Sequence, residues 1–453
     1  MMFNKSNLDL TSGPLLPSII SYSIPLILSG LLQIFFNAAD LAIVGNFSGT
    51  RATAAVGATG SFIYLIVYTV MGLSNGANVV LARAVGAKES DKTSKIVHTA
   101  MTFSVFAGIV VAIIGALISP IAMDITKCPI DAKEMAIDYL TIYFAGAPAI
   151  FVYNFGSAIL RTKGDTQRPL NFLMLSGVVN VLLNMFFVIV LGMSADGVAL
   201  ATTLSQYLAA YLTVRCLMLQ DDATRLVFSL LRIHKDEFLG IIRYGVPSGL
   251  TNAVYSLSNI QIQTGINGFG SSVVAGNSAA SSLGGFIESI NTSMNSTALA
   301  FVGQNIGADN KKRIKRIVLT CLLIATLAAI LIGNVMFIFG DPLYKIYVPN
   351  DSAAISVARE RCSIMFTLYF VATAFNILGA ASQAFGYSMY VSIISIFGIF
   401  GIRTIWMNTV FTHFGTYGSI IWCYPFTWSI ILIGNAIVFY IAYNRYIKKG
   451  QLK

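Results

Sequence analysis

Twelve times along this chain a run of about twenty or more residues passes with little charge, long enough for a helix to cross a bilayer. The runs lie near 15–44, 54–82, 94–120, 136–160, 169–191, 196–219, 239–266, 273–302, 314–339, 355–385, 388–413 and 417–444. Composition supports the same reading, with 56% hydrophobic and 11% charged residues, against about 25% charged in soluble domains. The expected fold is therefore an all-α integral membrane protein with twelve transmembrane helices.

An even number of spans puts both termini on one side. Placing them in the cytoplasm leaves 22 of the 29 Lys and Arg on that side and six outside (Arg361 among them), with Arg403 alone inside a span. That bias follows the positive-inside rule. The formal charge of +10 thus reports topology and not a nucleic-acid partner. The opening residues MMFNKSNLDLTSGP lack the basic, apolar and small-residue regions of a signal peptide. A retained first span is expected, in a multi-pass protein of the plasma (inner) membrane with both termini cytoplasmic.

The longest polar linker, 221–237, falls midway and divides the chain into an N-terminal lobe at 1–220 and a C-terminal lobe at 238–453. Each lobe holds six spans, and the two resemble one another. Phe47-Ser-Gly-Thr precedes a span ending Ala84-Val-Gly-Ala-Lys88, and Phe269-Gly-Ser-Ser precedes one ending Asn305-Ile-Gly-Ala-Asp309. Gly49 to Gly86 and Gly270 to Gly307 are both 37 residues, and Pro25 and Pro247 occupy matching places. Both copies enter the membrane from the same side. The two six-helix bundles should be related by a pseudo-two-fold axis along the membrane normal, one of the repeat designs of secondary transporters.

Charges at membrane depth are few. Asp40 is the only one from Leu15 to Val44, and Gln33, Asn37 and Asp40 are spaced four and three apart. On a helix they share one stripe. A carboxylate at the bilayer centre costs about 2.5–3.5 kcal/mol on insertion scales, so it ordinarily faces a partner or a water-filled cavity; hydration near a helix end is the plainer explanation. At the 221-residue offset Asp40 maps onto Gln261, in a span carrying Asn252, Ser256, Asn259 and Gln263 but no acid. A coupling ion is thus expected in the first lobe. Glu288 and Arg403 are the other buried charges. They either neutralise one another as a structural pair, or Glu288, with Gln261 and Gln263, forms a second site in the second lobe. Pro25 and Pro247 interrupt the helical hydrogen-bond ladder and permit a kink.

Enzyme chemistry is not expected. Cys128, Cys216, Cys321, Cys362 and Cys423 show no paired spacing, and His98, His234 and His413 are scattered, which argues against disulfide and metal frameworks. Gly72-Leu-Ser74-Asn-Gly76 matches a hydrolase pattern, but that motif needs a strand–turn–helix setting. Inside a span its glycines suit close helix packing. No phosphate-binding loop with Gly-Lys-Ser/Thr occurs, so ATP is not the expected energy source.

The residues Pro25 through Asn37-Ala-Ala-Asp40-Leu-Ala-Ile-Val-Gly45, Gly72-Leu-Ser-Asn-Gly-Ala77, Leu160-Arg-Thr-Lys-Gly-Asp-Thr-Gln-Arg-Pro169, Asn180 with Asn184, Gly197-Val-Ala-Leu-Ala-Thr202 and Gly303-Gln-Asn-Ile-Gly-Ala308 resemble the multidrug and toxic compound extrusion family. The likeness runs from Thr11 to about Tyr443. It implies an antiporter of two lobes around a central cleft, exchanging protons or sodium for amphipathic or cationic drugs and xenobiotics. It places the span-one acid on Asp40 and the span-five polar pair on Asn180 and Asn184. With Asn37 and Thr202 these form the expected coupling-ion site, with no cofactor beyond H+ or Na+. The acids that some members carry in spans seven and ten are amides here: Gln261 and Gln263, then Asn376 and Gln383. Low dielectric favours a protonated carboxyl and a nearby cation favours the ionised form, so Asp40 can alternate between proton and cation. Asn amides serve a sodium ion or a carboxyl equally well. Phe35, Phe36, Tyr64, Tyr68, Tyr153 and Phe155 are expected near the cleft, where cation–π contact is available. The partners expected are small-molecule substrates and the lipid bilayer, with the protein a monomer. A lipid-linked oligosaccharide flippase of the same architecture is the alternative and would call for a strongly basic cleft.

Overall fold

The computed structural model describes residues 8–126, 128–348 and 351–449. Lys5, Lys127 and Lys453, three of the basic residues counted above, lie outside the described residues. Twelve long helices follow one another. The first six are α1 (Leu15–Phe47), α2 (Gly49–Gly86), α3 (Ser90–Ile125), α4 (Ile130–Ala145 then Ala147–Thr162), α5 (Gln167–Val190) and α6 (Ala195–Met218). The second six are α7 (Lys235–Asn267), α8 (Ser271–Gly307), α9 (Lys311–Ile338), α10 (Ser352–Ala384), α11 (Ser388–Phe414) and α12 (Tyr417–Lys449).

Eight of these are long and apolar enough to cross a membrane singly, and the two arms of α4, bent by 43°, make a ninth. The other three are α6, α7 and α8. They are long enough but more polar, and much of that polarity is turned inward. Thr203, Ser205 and Thr213 of α6 are buried, as are Ser258 of α7 and Asn277 and Asn291 of α8. Hydropathy averages over all faces and so penalises a helix whose polar stripe faces protein.

The bend in α4 follows from Gly146 and Pro148, since proline cannot donate into the helix and is best tolerated in a first turn. Carbonyls near the bend find donors on α6. Thr203 Oγ1 donates to the Ile142 carbonyl at 2.9 Å and Tyr207 Oη to that of Ala145 at 2.9 Å.

The helices group into two compact units. The first comprises the segment ending at Leu10 and Ile24–Gly249; the second comprises Thr11–Ser23 and the residues from Leu250 onward. α1 and α7 therefore each change unit within two residues of Pro25 and Pro247. Both helices run on through the proline. Each proline nevertheless leaves the carbonyl four residues back, of Ser21 or Arg243, without its helical donor.

Lipid tails are as apolar as leucine, so helices in a bilayer associate through close van der Waals packing, often at small residues. In the first unit α2 meets α7 this way. A Cβ on Gly72 would lie 2.5 Å from Gly249 Cα, and one on Gly76 2.3 Å from the Ile241 carbonyl oxygen. Around this seam Phe151, Phe155, Phe172 and Leu217 form a buried core. The second unit packs around Ile287, Phe366, Ile420 and Trp428.

The backbone carries the internal repeat to the level of single dihedral angles. Gly49 and Gly270 both have positive φ (81° and 93°), as do Gly164 and Gly386 and, further on, Gly192 and Gly415. Lys88 and Asp309, 221 residues apart, are the two described non-glycine residues with positive φ (58° and 50°). Each follows a helix closed by the same three bonds: Ala87, Lys88 and Glu89 donate to Arg83, Val85 and Ala84, and Ala308, Asp309 and Asn310 donate to Gln304, Ile306 and Asn305. A π-helical turn at Phe186–Val190 of α5 recurs at Met407–Phe411 of α11, again 221 residues on.

Candidate coupling-ion and substrate site

The first unit gathers a polar cluster from α1, α5 and α6. α1 is set close against α5 by Gly177, where a Cβ would fall 1.9 Å from the Phe36 ring. One helical turn beyond Phe36 comes Asp40. Asn184 Nδ2 donates to Asp40 Oδ1 at 2.5 Å and lies 3.4 Å from Asn180 Oδ1. Thr202 Oγ1 donates to Asp40 Oδ2 at 3.5 Å, and Asn180 Nδ2 donates to Thr202 Oγ1 at 3.3 Å. Asn184 and Asn180 are buried, at 0% and 3% exposure, and Asp40 is half-buried. Asn184 Oδ1 has no hydrogen-bond partner among the described residues. That is an acceptor left open beside a carboxylate.

Tyr139 and Tyr143 of α4 are buried within electrostatic reach of Asp40. The sequence reading passed over them. Their spacing of four places both hydroxyls on one helical face, which was the available signal. The bonds from Thr203 and Tyr207 to α4 hold that arm beside the helix bearing Thr202.

The rest of the expected set is distributed differently. Asn37 and Gln33 are exposed, and no described hydrogen bond joins Asn37 to Asp40, Asn180 or Asn184. A stripe on one helix fixes a common direction but not which neighbour lies along it. Tyr153 and Phe155 belong to the buried core, with Tyr153 Oη donating to the Pro169 carbonyl at 3.2 Å. Phe35, Tyr64 and Tyr68 are exposed, and the last two stack at 6.0 Å between centroids.

In the second unit Gln261, Gln263 and Glu288 share no described hydrogen bond with one another. Gln261 Oε1 accepts from Thr404 Oγ1 at 3.1 Å. Gln263 donates to Asn267 Oδ1 at 2.8 Å and accepts from Asn277 Nδ2 at 3.4 Å. Glu288 lies beside Asn291 and Tyr369, and Asn291 Oδ1 accepts from Thr373 Oγ1 at 2.5 Å. Among the described residues no ion pair joins Glu288 to Arg403. The Arg403 guanidinium instead stacks over Tyr424, 4.4 Å from the ring centroid. Arg361, counted above with the outer loops, lies within α10, half-buried, and donates to Asn277 Oδ1.

What this arrangement can do is bind rather than react. A carboxylate, two amides and a hydroxyl form a ligand set for a proton, a small cation or a cationic compound. No group of three or more His, Cys, Asp or Glu able to hold a metal occurs among the described residues. Long apolar helices, an internal repeat and polar clusters set within those helices define a multi-pass membrane transporter. The chain belongs to the MatE family, whose profile matches residues 25–186 and 247–407. It is 25% identical over 384 residues to the probable multidrug resistance protein YoeA of Bacillus subtilis, covering 82% of both chains. It is 26% identical over 396 residues to the probable multidrug resistance protein YpnP of the same organism, covering 87% of this chain and 88% of that one. A solved multidrug resistance MATE family transporter in an outward-facing conformation shares the fold, with a TM-score of 0.85, 21% identity and 97% of each chain covered.

Proposed function

We propose that this transporter is a secondary active efflux antiporter that exchanges protons, or sodium ions, for amphipathic and cationic compounds. It would act as a monomer in the plasma (inner) membrane with both termini cytoplasmic. The observation that carries the reading is the Asp40 cluster, a single carboxylate bonded to Asn184 and Thr202. As an anion Asp40 accepts from both groups. When it takes up a proton it must donate, and a turn of the Asn184 amide would present Oδ1, otherwise unpartnered, to receive that bond. Sodium would instead use oxygens of Asp40, Asn180, Asn184 and Thr202. One negative charge cannot serve the ion and a cationic substrate together, and that competition is the physical content of exchange.

The names of YoeA and YpnP as probable multidrug resistance proteins support drugs and xenobiotics as substrates. The flippase alternative finds no support among the relatives. The test is ethidium transport into liposomes carrying the purified protein, under an imposed pH gradient or an imposed sodium gradient. Transport driven by either gradient alone is expected. Uptake that ignores both gradients would refute the antiporter.

A further inference from the structure

The repeat places α7, α11 and α12 of the second unit where the first has α1, α5 and α6. In the first unit those three helices converge on a carboxylate. In the second they converge on a guanidinium. Asn259 and Gln261 of α7, Arg403 and Thr404 of α11, and Tyr424 of α12 form one cluster. Arg403 Nη1 donates to Asn259 Oδ1 at 3.3 Å and Ser258 Oγ at 3.4 Å, while Thr404 donates to Gln261. Gln261 stands at the 221-residue offset from Asp40. The charge of the buried cluster is thus reversed between two related positions.

Five observations give this cluster a ligand preference. Arg403 is 0% exposed, yet its Nε and Nη2 have no hydrogen-bond partner among the described residues. Such groups are normally satisfied when buried. Arg361 lies 5.7 Å from the same Tyr424 ring that Arg403 approaches at 4.4 Å, so two cations share one aromatic face system. No described ion pair supplies either with a carboxylate: Glu288 sits beside Asn291 and Tyr369, and Glu360, next to Arg361 in the chain, points toward Gly418 at the start of α12. Around Tyr424 the side chains are aromatic: Trp428 lies 6.1 Å from Tyr424 and 5.2 Å from Tyr369. Arg403 is also bracketed by π-helical turns at Phe397–Ile402 and Met407–Phe411. Single π-turns recur at functional sites, because they can be exchanged for α-helix with a local change of register.

We propose that Arg361, Tyr424 and Arg403 form an anion site in the second unit, which receives the carboxylate or phosphate group of an aromatic organic anion. Arg361, half-buried, is the accessible cation. Arg403 behind Tyr424 adds charge in a low-dielectric setting, and its free N–H edge engages the oxyanion when a π-turn shifts. Guanidinium suits this task because its planar fork matches an oxyanion and stacks on rings. The transporter would then accept zwitterionic or anionic amphipaths as well as cations.

The test is equilibrium binding of fluorescein, an aromatic dianion, to the purified full chain in detergent, read by fluorescence anisotropy. Native protein is expected to bind it, with affinity falling as salt rises, and benzoate or inorganic phosphate should displace it according to which oxyanion is preferred. Arg361→Gln is expected to weaken binding at least tenfold. Arg403→Gln should do the same, with Arg403→Lys recovering part of the loss. Should Arg403→Gln fail to give a monodisperse protein, Arg361→Gln decides alone. Ethidium binding is expected to be unchanged in Arg361→Gln, and fluorescein binding unchanged in Asp40→Asn, so failure here and failure of the cation site are told apart. Absence of fluorescein binding to the native chain, or equal binding by native protein and Arg361→Gln, would overturn the proposal.

Discussion

Replacing Gly177 by alanine puts a methyl group where the Phe36 ring now packs. The new Cβ would lie 1.9 Å from Phe36 Cε2 and 2.0 Å from Cζ, whereas carbon atoms rest at about 3.5–4.0 Å. The ring must therefore retreat by roughly 1.5–2 Å, or α1 must move away from α5 by a similar amount. Overpacking of this kind costs about 1–3 kcal/mol. Asp40 lies one turn beyond Phe36, and its bond at 2.5 Å to Asn184 does not survive such a shift, because N–H···O bonds span only about 2.7–3.2 Å; the longer contact to Thr202, already 3.5 Å, goes with it. Gly177→Ala is thus expected to lower the melting temperature in detergent and to reduce ethidium transport at least tenfold, with no charged or polar group altered. Phe36→Ala in the same chain reopens the space and should recover most of both losses, a coupling of about 0.5–3 kcal/mol between touching residues. Full transport by Gly177→Ala, or no recovery in the double variant, would refute the idea that this helix contact positions Asp40.

Other outcomes follow from loops of the first unit and from the repeat. Asp165 and Arg168 form an ion pair whose side chains are 0% and 4% exposed, so Arg168→Met strands a buried carboxylate; a loss of about 3–5 kcal/mol should appear as a large drop in melting temperature and yield. Burial would raise the Asp222 carboxyl in the linker, but the Lys163 ammonium and the Thr224 donors outweigh burial and hold it below its ordinary value. Its contribution to linker order is present above that ordinary value and is lost as pH falls through the lower folded one; amide exchange around 221–227 should accelerate only in strongly acid buffer, and acceleration near neutral pH would contradict the assignment. Lys88 holds φ of 58°, a conformation that costs a side-chain-bearing residue roughly 1 kcal/mol, so Lys88→Gly should raise the melting temperature slightly and leave transport unchanged.

Much of the architecture was legible because twelve apolar runs match the bilayer in length, and the repeat was legible from Gly49, Gly86, Gly270 and Gly307. The bend in α4 was hidden, since Gly146 and Pro148 sit inside an uninterrupted apolar run. Asp40 could be named from the sequence alone, as the one charge of its apolar run, whereas Asn180, Asn184 and Thr202 were picked out only through the resemblance to the family. Asn37 could not be separated from them, because periodicity gives a direction without a neighbour. Arg403 was read against Glu288 on charge alone. Its aromatic partner Tyr424 comes from a different helix, and no spacing in the sequence points to a stacking contact. Arg361 was taken for a loop residue because it opens an apolar run, and only tertiary packing shows it sharing Tyr424 with Arg403.

The central claim is that Asp40 carries the coupling ion. The most direct measurement follows proton and sodium movement in liposomes when ethidium is added, for the native protein and for Asp40→Asn. The account predicts substrate-driven flux of one of the two ions in the native protein and none in Asp40→Asn, which keeps the side-chain shape but removes the charge. Ion flux in Asp40→Asn equal to native would contradict it and leave Glu288 as the next carboxylate to examine.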